Sequence, residues 1–301
     1  MKEIVDIVRF WRARRYQPLA LATLVRTRGS SYRRPGARML ISVDGASAGS
    51  LSAGCIEEEV VASARDVIRS GKPRLISFDT RRRFGCSGCI EIFIEPVAND
   101  VLRELRAKLA ARQSFQIATV FEGSDVLGSS IGSGSEKEYA FVQTIWPTLR
   151  LILIGTGPDA AALRSNATLL GWEVVAIEAI PELRDTPDER SAAVIATHNF
   201  GRDCAALRHL LPLGLHYVGL IGPRKRRDEI LLDVIDSGAQ LNSQLFAPAG
   251  LHLAADSPEE IALSIVAEIQ TVFGGGTAEH LRDRKAPIHQ APTEPWATSV
   301  P

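Results

Sequence analysis

The sequence predicts an α/β protein in two parts, an N-terminal mixed α+β domain followed by a doubly wound parallel-sheet domain. Three observations carry that expectation. The chain of 301 residues is about twice the usual domain length. Its second half holds near-continuous apolar runs, LRLILIGTG, LGWEVVAIEA, SAAVIATH and LHYVGLIG, each followed by a helix-length segment; strands buried on both faces by crossover helices read this way. The first half instead mixes helical periodicity with strands that have one polar face. In CIEIFIEPV, for example, Ile90, Ile92 and Ile94 alternate with Glu91, Phe93 and Glu95.

Taken in order, MKEIVDIVRFWRARRY is an amphipathic helix with acids in its first turn, and LALATLVRT (19–27) is a buried strand ending at the turn material RGSSYRRPG. ARMLISV (37–43) and ASAGSLS (46–52) form a hairpin around Asp44 and Gly45. IEEEVVASARDVIRSG is a helix with Ile56, Val60, Val61, Ala64, Val67 and Ile68 on its apolar face and Gly71 as C-cap. PRLISFDT and CIEIFIEPV are strands on either side of RRRFGCSG; NDVLRELRAKLAARQ is a helix and FQIATVF a strand. A Gly/Ser-rich, charged connection near 122–139 reads as a linker or a hairpin tip. The expected domains are therefore 1–147 and 148–285, with a Pro-rich disordered tail over 286–301. SPEEIALSIVAEIQTVF closes the second domain: Ser257 and Glu260 match a capping box, Pro258 suits the first helical position, and the body is apolar nearly all round.

Composition excludes several function classes. The 35 basic and 35 acidic side chains cancel, which removes the long-range field of a nucleic-acid or anionic-membrane binder. No run approaches the roughly 20 apolar residues of a spanning helix. The N-terminus has neither signal-peptide nor transit-peptide character, and four cysteines are too few for a disulfide framework, so a reducing cytoplasmic location is expected.

In the second domain, ILIGTGPDAAAL puts Gly155, Gly157 and Ala160 in a G-x-G-x-x-A frame between a strand and a helix. Glycine there permits a tight turn and close approach of a phosphate, which makes the domain Rossmann-like and a nucleotide or NAD(P) its candidate ligand. The same turn would also serve a doubly wound sheet that binds nothing. Glu178 ends the next strand, where a ribose-binding acid normally sits. His198, Asp203, Arg224 and Lys225 follow later strands and point toward one crevice, although His198 could equally cap the following helix. Arg224 to Arg227 open a helix, an unfavourable place for cations, so at least one of them needs a ligand or partner.

The first domain carries the thiols. Gly29, Ser30, Arg33, Arg34, Gly36 and Arg38 form a turn-rich cluster that either holds an oxyanion or is a solvated basic loop. Cys55 opens a helix and can be an activated nucleophile, a ligand or a small buried side chain; Glu57, Glu58 and Glu59 behind it oppose the thiolate by like-charge repulsion. Cys86 and Cys89 make a CxxC, yet neither a thioredoxin-type setting nor a second Cys/His pair accompanies it.

The series TLVRTRGSSYRRPGARMLI, GSLSAGCIEEEV, FGCSGCIEIFIEP, LILIGTGPDAAAL, ATHNF, YVGLIGPRKRR and APAGLHLAADSPEEIALSIVAEI resembles the XdhC/CoxI family of molybdenum-cofactor accessory proteins, in order and up to about residue 272. The resemblance implies a chaperone more than a turnover enzyme. It would bind the molybdenum cofactor, a pterin phosphate whose dithiolene holds the metal, protect it during sulfuration, and deliver it to a xanthine dehydrogenase or CO dehydrogenase type apoenzyme. A cysteine-desulfurase-type sulfur donor is the implied second partner. The family's two cysteines fall on Cys55 and Cys86, as ligands of the cofactor molybdenum or its sulfur, and its basic turn falls on Arg33, Arg34 and Arg38, toward the pterin's phosphate. Cys89 has no counterpart. The nucleotide-type turn falls on Gly155 and Gly157. The alternative is an NAD(P)-dependent oxidoreductase with His198 as base, and a third reading is a nucleotide-binding scaffold without chemistry. An apolar first helix and a long last one make a homodimer the expected assembly.

Overall fold

The structure, a computed structural model, describes residues 2–29, 31–54, 56–79, 88–97, 99–132, 139–242 and 244–285. The chain divides into two compact units, Met1–Pro147 and Thr148–Pro301. The expected tail, 286–301, lies outside the described residues.

The first unit runs α1 (Lys2–Arg14), β1 (Leu19–Gly29), β2 (Arg38–Ser42), β3 (Ser47–Gly49), α2 (Glu57–Ser70), β4 (Arg74–Asp79), β5 (Gly88–Pro96), α3 (Asn99–Ala110), β6 (Phe115–Val120), β7 (Gly128–Ile131) and β8 (Ala140–Ile145). Its main sheet is antiparallel with order β3-β2-β1-β5-β4, and both faces are covered. Ala20, Ala22 and Leu24 of β1 pack with Val60, Ala64 and Val67 of α2. Leu19 and Leu21 face the other way, against Ile4, Ile7 and Trp11 of α1, Leu102 and Leu105 of α3, and Phe115 and Ile117 of β6. Burial on both faces is why β1 is apolar at successive positions although its neighbours are antiparallel. The expected β2–β3 hairpin and the α2 helix are present, and Gly71 stops α2 in the left-handed conformation at φ 68°.

The Gly/Ser-rich connection is not bare linker. It contains β7, which pairs with β6 from Ile117–Ile131 to Val120–Gly128 in a three-stranded sheet of order β7-β6-β8. Its side chains carry no apolar alternation, and backbone pairing with β6 is joined by the Thr119–Ser129 hydroxyl contact at 2.8 Å and by Ile131 packing on the core.

The second unit runs β9 (Arg150–Ile154), α4 (Pro158–Leu169), β10 (Glu173–Ile177), β11 (Ser191–Ile195), α5 (Phe200–Leu210), β12 (Val218–Leu220), α6 (Arg224–Asp236), β13 (Leu245–Phe246) and α7 (Pro258–Gly274). All five strands are parallel, in the order β10-β9-β11-β12-β13. Leu151 and Leu153 of β9 join the core beneath α4 and α7, whereas Ile152 and Ile154 join the core beneath α5 and α6. The α7 N-terminus is the expected capping box: Ser257 Oγ accepts from Glu260 N, and the Glu260 carboxylate accepts from Ser257 N. That helix is one-sided: Ile265, Ile269 and Phe273 are buried, but Leu263 is 55% exposed.

Strand order reverses between β9 and β11. In an open parallel sheet that reversal splits the crossover helices to opposite faces and leaves a crevice at the carboxyl ends of those two strands.

Candidate functional site

In the first unit, one carboxylate organises the basic turn. Glu3, in the first turn of α1, accepts from the Arg33 guanidinium at 2.6 Å, from Ser50 N at 3.0 Å and from Arg38 N at 3.3 Å. Arg33 is therefore committed to an ion pair. Arg38 is buried: its Nη1 donates to Gly36 O at 3.0 Å and to Gln143 Oε1, while Nε and Nη2 have no partner among the described residues. Gly36 is required at that turn, since its φ is 97° and a Cβ would sit 2.6 Å from the Gln143 side chain. Facing Arg38 is Glu95, also buried, with Oε2 accepting from Ser129 N at 2.7 Å and Oε1 without a partner among the described residues. Burial pulls the Arg38 pKa down to about 10 against the pull of Glu3 and Glu95. Burial likewise pushes the Glu95 carboxyl up, the Ser129 hydrogen bonds and Arg38 only partly offsetting it. Arg34 is exposed and makes no side-chain bond among the described residues. Of the three arginines, it alone is both exposed and without a side-chain bond among the described residues.

Cys55 and Cys86 both lie outside the described residues. The segment leading to Cys55 is described, and Glu57 closes it into a ring. Its Oε1 accepts from Ser52 N at 2.9 Å, its Oε2 from Ser52 Oγ at 2.6 Å and from Ile56 N at 3.2 Å. Partial burial works to raise the Glu57 pKa, but the bonds from Ser52 and Ile56 together outweigh it, and the carboxyl sits below the ordinary glutamate value. Glu57 thus spends its charge on backbone and hydroxyl donors of the loop that carries residue 55. Cys89 lies in β5, cross-strand from Arg28 of β1 and Asp79 of β4.

In the second unit the crevice brings several expected residues together. Gly155 follows β9 at φ 131°, and a Cβ there would lie 2.2 Å from Ala196 O, so the β9–α4 turn is pressed onto the end of β11. Gly157 is the N-cap of α4, Pro158 occupies its first turn, and Ala160 packs beneath. His198 follows β11 at φ 54° and reaches across to α4, with Nε2 2.9 Å from Asp159 Oδ2. It does not cap α5; Asn199 does, accepting from Arg202 N at 3.0 Å. Glu178 is exposed at the end of β10, and its N–H donates to Glu182 at 3.1 Å. Arg224 is exposed at the start of α6.

The partner expected for the α6 cations is Asp203, and the cation it takes is Arg226. Asp203 is fully buried and accepts from both Thr197 Oγ1 and Arg226 Nη2. This pair anchors the loop that presents His198. Asp159 was missed in the sequence; an acid directly behind Gly-Pro, in the first turn of a helix, is the signal that marks it. Cys204, next to Asp203, is 2% exposed, and burial together with Asp233 pushes its thiol up to about 11, which leaves it unreactive.

An all-parallel sheet with helices on both faces and a Gly-x-Gly turn at its switch point defines the second unit as a Rossmann-like domain, joined to an antiparallel-sheet domain that carries the basic turn and thiols. Residues 12–79 match the model of the XdhC and CoxI family, and residues 151–269 match that of the XdhC Rossmann domain; the chain belongs to this family. Arg33, Arg34, Arg38 and Cys55 lie inside the first matched segment, while Cys86 lies outside both. The chain is 30% identical to a probable xanthine dehydrogenase subunit of Bacillus subtilis, over 83% of this chain and 91% of that protein. It is 23% identical to the molybdenum cofactor insertion chaperone PaoD of Escherichia coli, over 84% of this chain and 82% of PaoD. A crystal structure of a xanthine dehydrogenase from Bacillus halodurans matches with a TM-score of 0.75 and 26% identity, covering 90% of this chain and 95% of that one.

Proposed function

We propose that the protein is a molybdenum-cofactor accessory protein that binds the cofactor through its first unit, protects it while it is sulfurated, and delivers it to a xanthine dehydrogenase or CO dehydrogenase type apoenzyme. The observation that carries this reading is kinship running through both units to a protein named as a molybdenum cofactor insertion chaperone. The chemistry of the first unit supports it. Arg34 offers an exposed guanidinium to the pterin's phosphate, and Cys55 and Cys86 supply soft sulfur for molybdenum or for the sulfur it receives. Arg33 and Arg38 take a different part: both are engaged inside the unit, and they shape the turn that presents Arg34.

Glu3 accepts from Arg33 and Ser50 together, so the basic turn and the start of the Cys55 loop hang on one carboxylate. That arrangement suits a ligand with a phosphate at one end and a metal at the other. A cysteine desulfurase is the class of sulfur donor the sulfuration step requires. Wild-type protein mixed with molybdenum cofactor should carry it through gel filtration, and Cys55→Ala, Cys86→Ala and Arg34→Ala should each carry less while remaining folded. A wild-type protein that emerges without cofactor overturns the proposal.

A further inference from the structure

The doubly wound fold and the Gly155–Gly157 turn imply a dinucleotide whose pyrophosphate rests on the N-terminus of α4. The residues present do not fit that group. Pro158, at the start of α4, has no N–H to donate. Directly behind it Asp159 brings a carboxylate, 15% exposed, into the turn where the anion would sit. The same carboxylate holds His198, whose Cδ2 would lie 4.0 Å from a Cβ at Gly157, so the imidazole covers the glycine that a phosphate must approach. The corner at the end of β10 adds Glu178 and Glu182, joined through the Glu178 N–H. Arg226 is taken by Asp203, and Arg224 and Lys225 begin α6 beyond β12, which is separated from β9 by β11.

We propose that Asp159 is a specificity-determining residue that makes this crevice reject pyrophosphate, so that the Rossmann-like unit takes no NAD(P) and admits only ligands without a diphosphate bridge. The physical cause is like-charge repulsion at a helix terminus that would otherwise attract anions. His198 acts with it by keeping the carboxylate in place and by covering Gly157.

The test is calorimetric titration of the full chain with NADH and, separately, with inorganic pyrophosphate. Wild-type protein should bind neither more tightly than about 1 mM. Asp159→Asn keeps the shape and a hydrogen bond to His198 but removes the charge, and it should bind pyrophosphate at least about 10-fold more tightly than that limit. His198→Ala leaves the charge and should gain clearly less than Asp159→Asn. Wild-type binding of either probe in the micromolar range overturns the proposal, and this arm holds whatever the variants do. An Asp159→Asn protein that is folded but gains no affinity also overturns it, as does a gain in His198→Ala equal to that in Asp159→Asn, which would make the closure steric. All titrations are made in an Arg34→Ala background, so that an anion held by the basic turn of the first unit does not enter the result.

Discussion

Glu3 and Arg33 are 2.6 Å apart, and the same Glu3 carboxylate also holds the backbone N–H of Ser50. A residue at the very start of the chain therefore fixes the basic turn against the strand that leads to Cys55. Glu3→Ala should cost about 2 kcal/mol, because charge-assisted hydrogen bonds to a half-buried carboxylate are lost together and their donors are left without an acceptor. Urea unfolding checks the stability term. Cofactor retention should fall in the same variant under conditions where it remains folded; full retention would show that the turn does not depend on Glu3.

The buried Arg38 and Glu95 should behave as a coupled pair. Replacing Arg38 by Met leaves the Glu95 carboxyl buried without its countercharge, and the expected loss is about 3 kcal/mol. The double variant Arg38→Met with Glu95→Gln should recover part of that loss, since it removes both charges. A double-mutant cycle measured by denaturation checks this, and additive losses would mean that the two charges do not interact.

Stability on the acid side should depend on Glu57. Its folded-state pKa lies below the ordinary 4.5, so its contribution is present above the unfolded value and is lost as pH falls through the folded one. Glu95 has the opposite sign: its pKa is raised, so its contribution is present below the unfolded value and is lost as pH rises through the folded one. Unfolding free energies of Glu57→Gln against wild type, taken from about pH 6 down to about pH 3, should converge as the pH drops. For Glu95→Gln the difference from wild type should instead change as pH rises through and above 4.5. A Glu57→Gln difference that stays constant across the acid range counts against the hydrogen bonds from Ser52 and Ile56 to Glu57.

The two glycines of the nucleotide-type turn should respond differently. Gly155→Ala sets a Cβ 2.2 Å from Ala196 O at φ 131° and should destabilise the second unit by more than about 3 kcal/mol. Gly157→Ala meets nothing closer than 4.0 Å, and its φ of −72° is ordinary, so a loss of about 1 kcal/mol from the weaker N-cap is expected. Thermal unfolding of the two variants distinguishes them, and equal losses would contradict the close contact of the turn with β11.

What was legible in the sequence follows a physical rule. Strands β9, β10, β11 and β12 could be read because burial by helices on both faces demands apolar side chains at successive positions. Strands β7 and β13 could not, since GSSI and LF are too short to show an apolar period, although Ile131, Leu245 and Phe246 pack against the cores. At the site, Gly155, Gly157 and His198 were readable as strand-end residues, and the structure brings them to one crevice. The roles of the arginines were not readable. Arg38 shares the phase of Leu40 along β2 and goes inside, whereas Arg34, four residues earlier in the same basic run, stays out.

The sequence alone determined the two-part architecture, the switch-point turn, the capping box of α7 and the family, because each rests on local periodicity, backbone conformation or motif order. Tertiary structure decided which charges are spent and which remain available. Glu3 takes Arg33 across 30 residues, Glu95 confronts Arg38, Asp203 takes Arg226, and Asp159 reaches His198 across 39. A charge is free or committed according to what folding sets within a few ångströms of it, and sequence distance does not reveal that.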